Sequence, residues 1–453
     1  MPLSRSGYAR LLHCSVDGPT QLFPKIGGKL TLKILMISGA RPLPADNGAK
    51  RRILASAIYL SRNHDLTLLS LKEHTSCADP SNEGYDVSWR DVTLPLPSRA
   101  RLFTALRALT SPRPYMQLKS WNSRFHAVLR KLMSEERFDA IWVHQLCMAP
   151  YIDEILFRRG KERSNGQPLT LLDQQNVDGM YFRTFLNQNV RIPLRIYAAL
   201  EVAKATKAQR RLFPAFDAIL CVSPEDLRDT ARYTDKTELW LAPNGVDLDY
   251  FRPDRPIKTN GNAPVLVFGA SMDVKMNQDA VAWFSSEVFP LIQRVHPEVH
   301  FSIVGRNPPL DIVRLSKLKN ITVTGTVPDV RTYYREAAVF VVPCRLGGGT
   351  KLKTLEAMAM GLPVVTTSVG AQGLEVESGR HLHIVDGPED FADRVVELLK
   401  DRGKASEMGA AARKLVEQKY GWDAIMAESE RRLTRLLHTR ESERSEANLK
   451  CLA

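Results

Sequence analysis

Apolar positions in the first half of the chain fall into short unbroken runs, which longer stretches with helical spacing separate. The short runs predict buried strands at 32–37, 65–71, 138–143, 169–172 and 217–222. The stretches 49–62 and 192–213 predict helices. Because strands that alternate with helices pair in parallel, this half of the chain predicts a doubly wound α/β sheet.

The segment 252–264 interrupts the pattern with three prolines and a glycine among polar residues, which is typical of a linker. A second alternating series follows this segment. Its predicted strands are 265–268, 299–304, 321–323, 339–342, 364–366 and 382–385, and its predicted helices are 279–295, 330–338, 388–401 and 405–418. The chain therefore predicts two Rossmann-like doubly wound domains, and the cleft between them is the default ligand site.

The remaining segments lie outside these two series. We expect an N-terminal extension at 1–29, a first domain at 30–251, a linker at 252–264, a second domain at 265–418, a closing helix at 419–437 and a tail at 438–453. The charged composition of the tail predicts disorder.

The stretch 347–365 reads GGGTKLKTLEAMAMGLPVV and places glycines and cations at the start of a predicted helix. Glycines let the backbone approach a ligand closely, and the first N–H groups of a helix have no internal partner. With Lys351 and Lys353 beside them, these groups predict a site for an anion such as phosphate. From the loop alone, an ordinary Gly-rich turn with a solvated Lys353–Glu356 pair is an equal alternative.

The net charge of +13 over 453 residues favours an anionic partner. Nucleic acid, an acidic lipid surface and phosphorylated small molecules all have the required charge. The sequence contains no nucleic-acid-binding module, and its aromatic residues are not interleaved with basic ones. We therefore expect no nucleic-acid partner.

The segment 98–137 is strongly basic, and Leu102, Phe103, Leu106 and Leu109 form one apolar face within it. Two interpretations stay open: a helix that lies on an anionic membrane surface, and an ordinary surface helix. The sequence has no apolar run of membrane-spanning length and no secretory signal. We therefore expect a cytoplasmic protein, with peripheral contact at the inner face of the plasma membrane if the first interpretation holds.

The six cysteines are dispersed along the chain, and no CxxC pair is present. This spacing predicts neither a disulfide framework nor a thiolate metal site. No other cluster of His, Asp or Cys has the spacing of metal ligands, so the sequence predicts no metal requirement.

Five motifs together carry a resemblance to a known family. They are PNGVDLDYF at 243–251, SMD at 271–273, IVGR at 303–306, VTGTVPDVRTYYREAAVFVVP at 323–343 and the Gly-rich stretch at 347–365. Over about residues 32–437 the chain resembles the retaining glycosyltransferases of family 4, also called glycosyl transferases group 1. Its GGGTKLK sequence is similar to that of the sugar transferases of bacterial exopolysaccharide and lipopolysaccharide assembly.

The resemblance implies the GT-B fold, in which two Rossmann-like domains face a cleft. It also implies a nucleotide-diphosphate sugar as donor substrate, no cofactor, and transfer to an acceptor hydroxyl with retention at the anomeric carbon. The acceptor would be a lipid-linked or membrane-borne glycan. A GT-B protein that binds nucleotide sugar without turnover, as a scaffold, is the alternative.

The resemblance also implies a role for each residue that matches a family motif. Glu356 would bind the ribose hydroxyls, and Val327 would border the base. The diphosphate would be held by Lys351 and Lys353 and by the backbone of Gly348, Gly349 and Thr350, and Gly48 would approach it from the first domain. His144 would lie near the reacting sugar. Considered without the resemblance, His144 is more simply a polar residue at a strand end.

The sequence departs from the family pattern at two positions. Gly348 occupies the slot of the first glutamate of the family pair, so a loop backbone would replace that acid at the sugar. The usual arginine after the first strand of the second domain is absent, and Lys275 would serve the phosphate instead, or stand as a solvated loop lysine. Asp247 and Asp249 resemble a metal motif, but in this family the segment is structural.

Overall fold

The computed structural model describes residues 31–45, 47–72, 87–93, 100–157, 167–175, 182, 186, 192–253 and 263–452. The predicted extension at 1–29 and most of the predicted linker lie outside these residues. The chain divides into two compact units. The C-terminal unit holds Asn244–Ala424, and the N-terminal unit holds the described residues up to Pro243 together with the end of the chain from Ile425.

The N-terminal unit is built on a parallel sheet of seven strands in the order β3-β2-β1-β4-β5-β6-β7. The strands are β1 Lys33–Ser38, β2 Asp65–Lys72, β3 Ser88–Thr93, β4 Ala140–His144, β5 Leu169–Gln174, β6 Ala218–Cys221 and β7 Glu238–Leu241. All five strands predicted for this half are present. Strands β1 and β4 are buried along almost their whole length, because helices cover both faces of a doubly wound sheet.

Helices connect these strands and include both of those predicted. Their bounds are α1 Gly48–Ser61, α2 Ala100–Thr110, α3 Tyr115–Ser120, α4 Ser123–Glu135, α5 Asp153–Phe157, α6 Ile192–Leu212 and α7 Pro224–Ala231. Polar caps fix where several of them begin. The Asn47 side chain accepts a hydrogen bond from the Lys50 N–H at the start of α1, and Ser223 accepts one from the Asp226 N–H at the start of α7.

The C-terminal unit has a parallel sheet of six strands in the order β10-β9-β8-β11-β12-β13. The strands are β8 Val265–Gly269, β9 His300–Val304, β10 Ile321–Gly325, β11 Ala337–Val342, β12 Val364–Thr366 and β13 His383–Ile384. The helices are α8 Lys275–Trp283, α9 Phe289–Val295, α10 Leu310–Val313, α11 Arg331–Tyr334, α12 Leu352–Ala359, α13 Pro388–Lys400 and α14 Arg402–Lys419. The last helix, α15 Trp422–Leu452, begins in this unit and belongs to the N-terminal unit from Ile425 onward. In both units the strand order reverses beside the first strand, which confirms the doubly wound prediction.

Two predicted helices of this unit have different bounds in the structure. The helix predicted at 330–338 is only the short α11, since the following residues from Ala337 form the buried central strand β11. The helix predicted at 279–295 already begins at Lys275, and a π-helical turn at Phe284–Val288 joins α8 to α9. Pro290 follows this turn directly, at the second position of α9, and has no N–H to donate to the preceding turn.

The last helix does not end at Leu437 but continues to Leu452, so the prediction of a disordered tail from 438 is wrong. The segment 422–452 contains neither glycine nor proline and is rich in Glu, Arg, Ala and Leu, which favour helix. The carboxylate of Glu428 also pairs with Arg431 and Arg432 on this helix, at 2.7 Å in both cases. Such pairs at helical spacing support a helix that is exposed to solvent.

Candidate functional site

The candidate anion site lies where the strand order of the C-terminal sheet reverses, between β8 and β11. The carboxyl ends of these neighbouring strands lead into the loop before α8 and into the Gly-rich loop before α12. Ligands of doubly wound sheets bind at such a switch point. The structure therefore places the predicted loop at the edge where a ligand site is expected.

The Gly-rich loop packs against the first turn of α8 in a conformation that needs glycine. Gly347 and Gly349 have φ angles of +99° and +72°, which side chains disfavour. A Cβ atom on Gly347 would lie 2.2 Å from the Sδ atom of Met276. At Gly347 both the positive φ and the contact with α8 disfavour a side chain, whereas at Gly349 only the positive φ does.

Lys351 folds back onto the loop that precedes it. Its Nζ atom donates hydrogen bonds to the carbonyl oxygens of Gly347, Gly348 and Gly349, at 3.4, 3.0 and 2.9 Å. Burial, opposed by Cys344 and aided by the neighbouring Lys353, lowers the pKa of Lys351 to about 8. The loop therefore presents three of its carbonyl oxygens to its own lysine.

Lys353 is held by α8 and the end of β8. Its Nζ atom donates a hydrogen bond of 2.6 Å to the Oδ1 atom of Asn277 and lies 4.7 Å from the centre of the Phe268 ring. Burial lowers the pKa of this lysine, which nearby Cys344 and Glu356 partly offset. Beside it, the hydroxyl of Thr350 is buried and has no hydrogen-bond partner among the described residues. Two lysines and one unsatisfied hydroxyl thus converge on the start of α12.

Glu356 lies one turn further along α12 and is only 7% exposed. The Tyr334 hydroxyl donates a hydrogen bond of 3.3 Å to its Oε2 atom. The burial of Glu356 and the contact of Lys353 with Asn277 do not fit a solvated Lys353–Glu356 pair. The alternative interpretation of the loop is therefore wrong on this point.

The segment that contains Val327 packs on the core of the same unit, next to the PNGVDLDYF motif. The Tyr250 hydroxyl donates to Asp329 at 3.3 Å, and the Arg331 guanidinium pairs with Asp329 at 2.7 Å and stacks 3.8 Å from the Tyr250 ring centre. Asp247 accepts hydrogen bonds from the backbone N–H groups of Asp249 and Tyr250. Asp247 thus closes a turn, in agreement with its structural interpretation.

Lys275 is exposed at the first position of α8. A second cation in this region is Arg306, which lies in the IVGR motif but has no role predicted from the sequence. Its Nε–H group donates a hydrogen bond of 2.8 Å to the Ser271 hydroxyl, which in turn donates to Asp273 at 2.7 Å. Arg306 therefore lies against the loop from which the family arginine is missing.

The N-terminal unit has a polar cluster at its own switch point, between β1 and β4. His144 ends β4 and is fully buried, and its Nδ1 atom lies 3.0 Å from the Oδ2 atom of Asp173 at the end of β5. The Nε–H group of Arg52, on α1, donates to both carboxylate oxygens of Asp173, at 2.8 and 2.9 Å. Asp173 and Arg52 were not predicted from the sequence. The signal that could have identified Asp173 is an acid and a histidine at the ends of two neighbouring predicted strands.

The electrostatics of this cluster fix which ring nitrogen of His144 carries the proton. Burial alone would raise the pKa of Asp173, but Arg52 and then His144 outweigh burial and hold it well below the usual range. The carboxylate therefore accepts the Nδ1–H of His144, which leaves Nε2 as the nitrogen that can accept a hydrogen bond. That Nε2 atom is buried and has no partner in the described part of the chain.

The predicted site residues thus fall into two groups. Lys275, Val327, Gly348, Gly349, Thr350, Lys351, Lys353 and Glu356 belong to the C-terminal unit, whereas Gly48 and His144 belong to the N-terminal unit. Gly48 is the first residue of α1, directly after its Asn47 cap. Among the described residues, no three or more His, Cys, Asp or Glu side chains are grouped as a metal site would require.

Sequence comparisons relate the chain to glycosyltransferases. Residues 263–401 match the family model Glycosyl transferases group 1. An uncharacterized 44.6 kDa protein in cps region of Klebsiella pneumoniae is 22% identical over 398 residues, which cover 86% of this chain and 96% of that protein. The GDP-mannose-dependent alpha-(1-6)-phosphatidylinositol monomannoside mannosyltransferase of Mycobacterium tuberculosis is 30% identical over 254 residues, which cover 51% of this chain and 64% of that enzyme.

Comparison with solved structures supports the fold. Sucrose-phosphate synthase from Thermosynechococcus elongatus superimposes with a TM-score of 0.66 at 15% identity, over 90% of this chain and 99% of that one. Residues 263–401 are therefore similar to the glycosyl transferases group 1 family, and the two parallel-sheet units of the chain have the GT-B fold.

Proposed function

We propose that this glycosyltransferase moves a sugar from a nucleotide-diphosphate sugar to an acceptor hydroxyl, with retention at the anomeric carbon. The observation that carries the proposal is the start of α12, where Lys351, Lys353 and the unsatisfied Thr350 hydroxyl meet a Gly-rich loop. Cations and free donors at a helix start suit a diphosphate. A mannosyltransferase relative that is GDP-mannose-dependent supports the donor class.

Each group at this site has a role that its geometry supports. The two lysines and the Thr350 hydroxyl would hold the diphosphate, with exposed Lys275 as an added cation. Glu356, which Tyr334 holds in place, would accept hydrogen bonds from the vicinal ribose hydroxyls. Val327 would border the base.

The proposed reaction breaks the bond between the anomeric carbon and the diphosphate oxygen and forms a bond to the acceptor oxygen on the same face. The acceptor proton passes to the departing phosphate oxygen. Lys351 and Lys353 would offset the charge that develops on the diphosphate, so the proposal includes no metal ion and no cofactor. The Nε2 atom of His144 would accept a hydrogen bond from a sugar or acceptor hydroxyl near the reacting carbon.

We further propose that the acceptor is a lipid-linked or other membrane-borne glycan of exopolysaccharide or lipopolysaccharide assembly. The relative in a cps region, which this chain matches over 86% of its length, supports this setting. The protein would act in the cytoplasm at the inner face of the plasma membrane.

Nucleotide release by the purified protein tests the proposal. Thermal shift across a panel of nucleotide sugars selects the donor, and release is then measured for the protein, for Glu356→Ala and for the control Glu377→Ala, whose carboxylate is exposed and pairs with Arg380. We expect Glu356→Ala to lose most of the release and Glu377→Ala to keep it. Equal release by the protein and Glu356→Ala would contradict the enzymatic proposal.

The anomeric configuration of the product, measured by NMR, tests retention.

A nucleotide-sugar-binding scaffold without turnover is the second candidate function. Gly348 favours it, because this residue stands where the family has an acid at the sugar. Donor binding without transfer or hydrolysis, across a panel of polyprenyl-linked glycans, would support the scaffold over the enzyme.

A further inference from the structure

Helix α6 carries apolar side chains on the side opposite to the one that packs on its unit. Its packed side is made by Ala198, Ala205 and Leu212, among others. Ile192, Ile196 and Leu200 are 72%, 65% and 38% exposed and follow one another at four-residue spacing. At about 100° per residue, this stripe points away from the packed side. Packing against the described residues of the unit therefore does not explain these three residues.

Helix α2 extends the apolar surface. Leu106 and Leu109 are 56% and 49% exposed on this helix. The Lys204 ammonium of α6 donates a hydrogen bond to the carbonyl oxygen of Ala108, so the two helices are neighbours. We call Leu106, Leu109, Ile192, Ile196 and Leu200 together the apolar patch. The side chains of Leu102 and Phe103, which the sequence analysis placed on the same face of α2, lie outside the described residues.

The border of the apolar patch is basic. Arg107 of α2 and Arg195 of α6 are exposed and belong to this border. Lys207 and Arg210 are exposed further along the outward side of α6. Residues 100–133 contain no Asp or Glu. The one acid of α6, Glu201, is buried and pairs with Lys204 at 3.1 Å. Among the described residues of α2 and α6, the patch therefore offers apolar area and positive charge without an exposed acid.

We propose that the apolar patch docks on an anionic lipid bilayer. The aliphatic side chains would enter the boundary between headgroups and acyl chains, and the basic border would meet the lipid phosphates, as on interfacial amphipathic helices. A second copy of this chain fits the patch less well, because it would bring the same positive border against itself. Vesicle binding does not depend on the proposed donor chemistry.

Chain direction relates the patch to the candidate catalytic residues. Strand β5 ends at the carboxyl edge of the sheet with Gln174, whereas α6 ends beside the opposite edge, since only residues 213–217 separate it from the start of β6. The apolar half of α6 is therefore the half nearer to the edge that holds His144 and Asp173. If the proposed function holds, a docked protein would receive its lipid-borne acceptor at this edge.

Vesicle flotation tests the docking surface. The protein, the variant Ile192→Ser/Ile196→Ser/Leu200→Ser and the variant Lys207→Glu/Arg210→Glu are floated with phosphatidylcholine vesicles, with and without phosphatidylglycerol. The control is Leu310→Ser/Val313→Ser, since both residues are exposed on α10 of the C-terminal unit. All substituted residues are exposed, so the fold should persist; circular dichroism checks it.

We expect the protein to float with anionic vesicles and much less with neutral ones. The serine variant should bind about tenfold or more weakly, and the glutamate variant should lose the anionic preference, while the control floats like the unchanged protein. Flotation of the serine variant equal to that of the unchanged protein would overturn the proposal. The proposal would also be overturned if the protein did not float but formed a dimer, measured by sedimentation velocity, that the serine substitutions abolish.

Transfer to a water-soluble acceptor analogue separates the two proposals. If the serine variant loses flotation and keeps this transfer, docking stands apart from catalysis as proposed. If the unchanged protein floats but no nucleotide sugar is turned over, the docking surface stands and the proposed function fails.

Discussion

Arg52 and Asp173 form a fully buried ion pair in which the guanidinium Nε–H group contacts both carboxylate oxygens, at 2.8 and 2.9 Å. The same carboxylate contacts His144, while Arg52 also donates to the carbonyl oxygen of Pro243 at 2.9 Å. The pair therefore links α1, two strand ends and the segment after β7. It holds one imidazole in one tautomer at the switch point of the N-terminal sheet.

The first prediction concerns Asp173→Asn. The amide keeps the shape of the side chain but removes the charge that fixes the Nδ1–H tautomer of His144. We expect kcat to fall by about 100-fold, the scale of a mispositioned acid–base group, with little change in KM for the donor. Steady-state kinetics across pH measures this. An unchanged kcat with an unchanged pH profile would make the pair purely structural.

The second prediction concerns stability in acid. Arg52 and His144 hold the pKa of Asp173 below its unfolded value, so this carboxylate contributes stability above that unfolded value, about 4, and loses it as pH falls through the lower folded value. We expect the free energy of unfolding to fall with pH below about 4, and to fall less steeply in Asp173→Asn. Urea titrations at several acidic pH values measure both slopes. Parallel slopes would contradict the prediction.

Much of this arrangement can be predicted from the sequence, because parallel strands and glycine turns leave local signals. Apolar runs and glycine spacing alone predict the strands around His144 and the loop before α12. The Arg52–Asp173 pair cannot be predicted in this way, since its partners are 121 residues apart and meet only when β4, β5 and α1 assemble. The contact of Lys351 with its own loop escapes prediction for another reason: glycine spacing does not say which way the carbonyl groups point.

The third prediction concerns donor binding in base. Burial lowers the pKa of Lys351 to about 8, so in the free protein this lysine loses its proton above that pH. A diphosphate favours the charged ammonium form of the lysine. We expect donor affinity to fall above pH 8 by up to about tenfold per pH unit, with proton uptake on binding. Calorimetry in two buffers with different ionisation enthalpies measures the uptake.

Lys351→Arg provides the control for this titration, because the guanidinium stays charged throughout the range. Its donor affinity should vary little between about pH 8 and 9.5 and should show no proton uptake. The same fall in affinity in both proteins would assign the titration to another group.

The fourth prediction concerns Gly347→Ala. The new Cβ would combine an unfavourable positive φ with the 2.2 Å approach to Met276, so we expect the free energy of unfolding to fall by about 1–3 kcal/mol and donor affinity to fall as the loop shifts. Gly379→Ala is the matched control, since Gly379 has φ +87° and a Cβ added there would have no atom within 4 Å. Denaturant unfolding and calorimetry compare the two. Adding Met276→Ala should restore part of the loss at Gly347; equal effects at both glycines would remove the contact from the explanation.

The last prediction concerns the way α15 is held. Glu430 is 8% exposed, and its carboxylate accepts hydrogen bonds from Tyr59 at 3.1 Å and Asn63 at 3.2 Å and lies 3.2 Å from the Nε2 atom of His64. Glu430→Gln weakens three contacts that join this helix to α1 and the turn after it. We expect a loss of about 1–3 kcal/mol in unfolding free energy and faster amide exchange along α15. Glu428→Gln, which alters only exposed pairs with Arg431 and Arg432 on the same helix, should change both quantities little. If amide exchange along α15 is equally fast in both variants, the carboxylate of Glu430 does not hold the helix in place, and the apolar contacts of the helix do so alone.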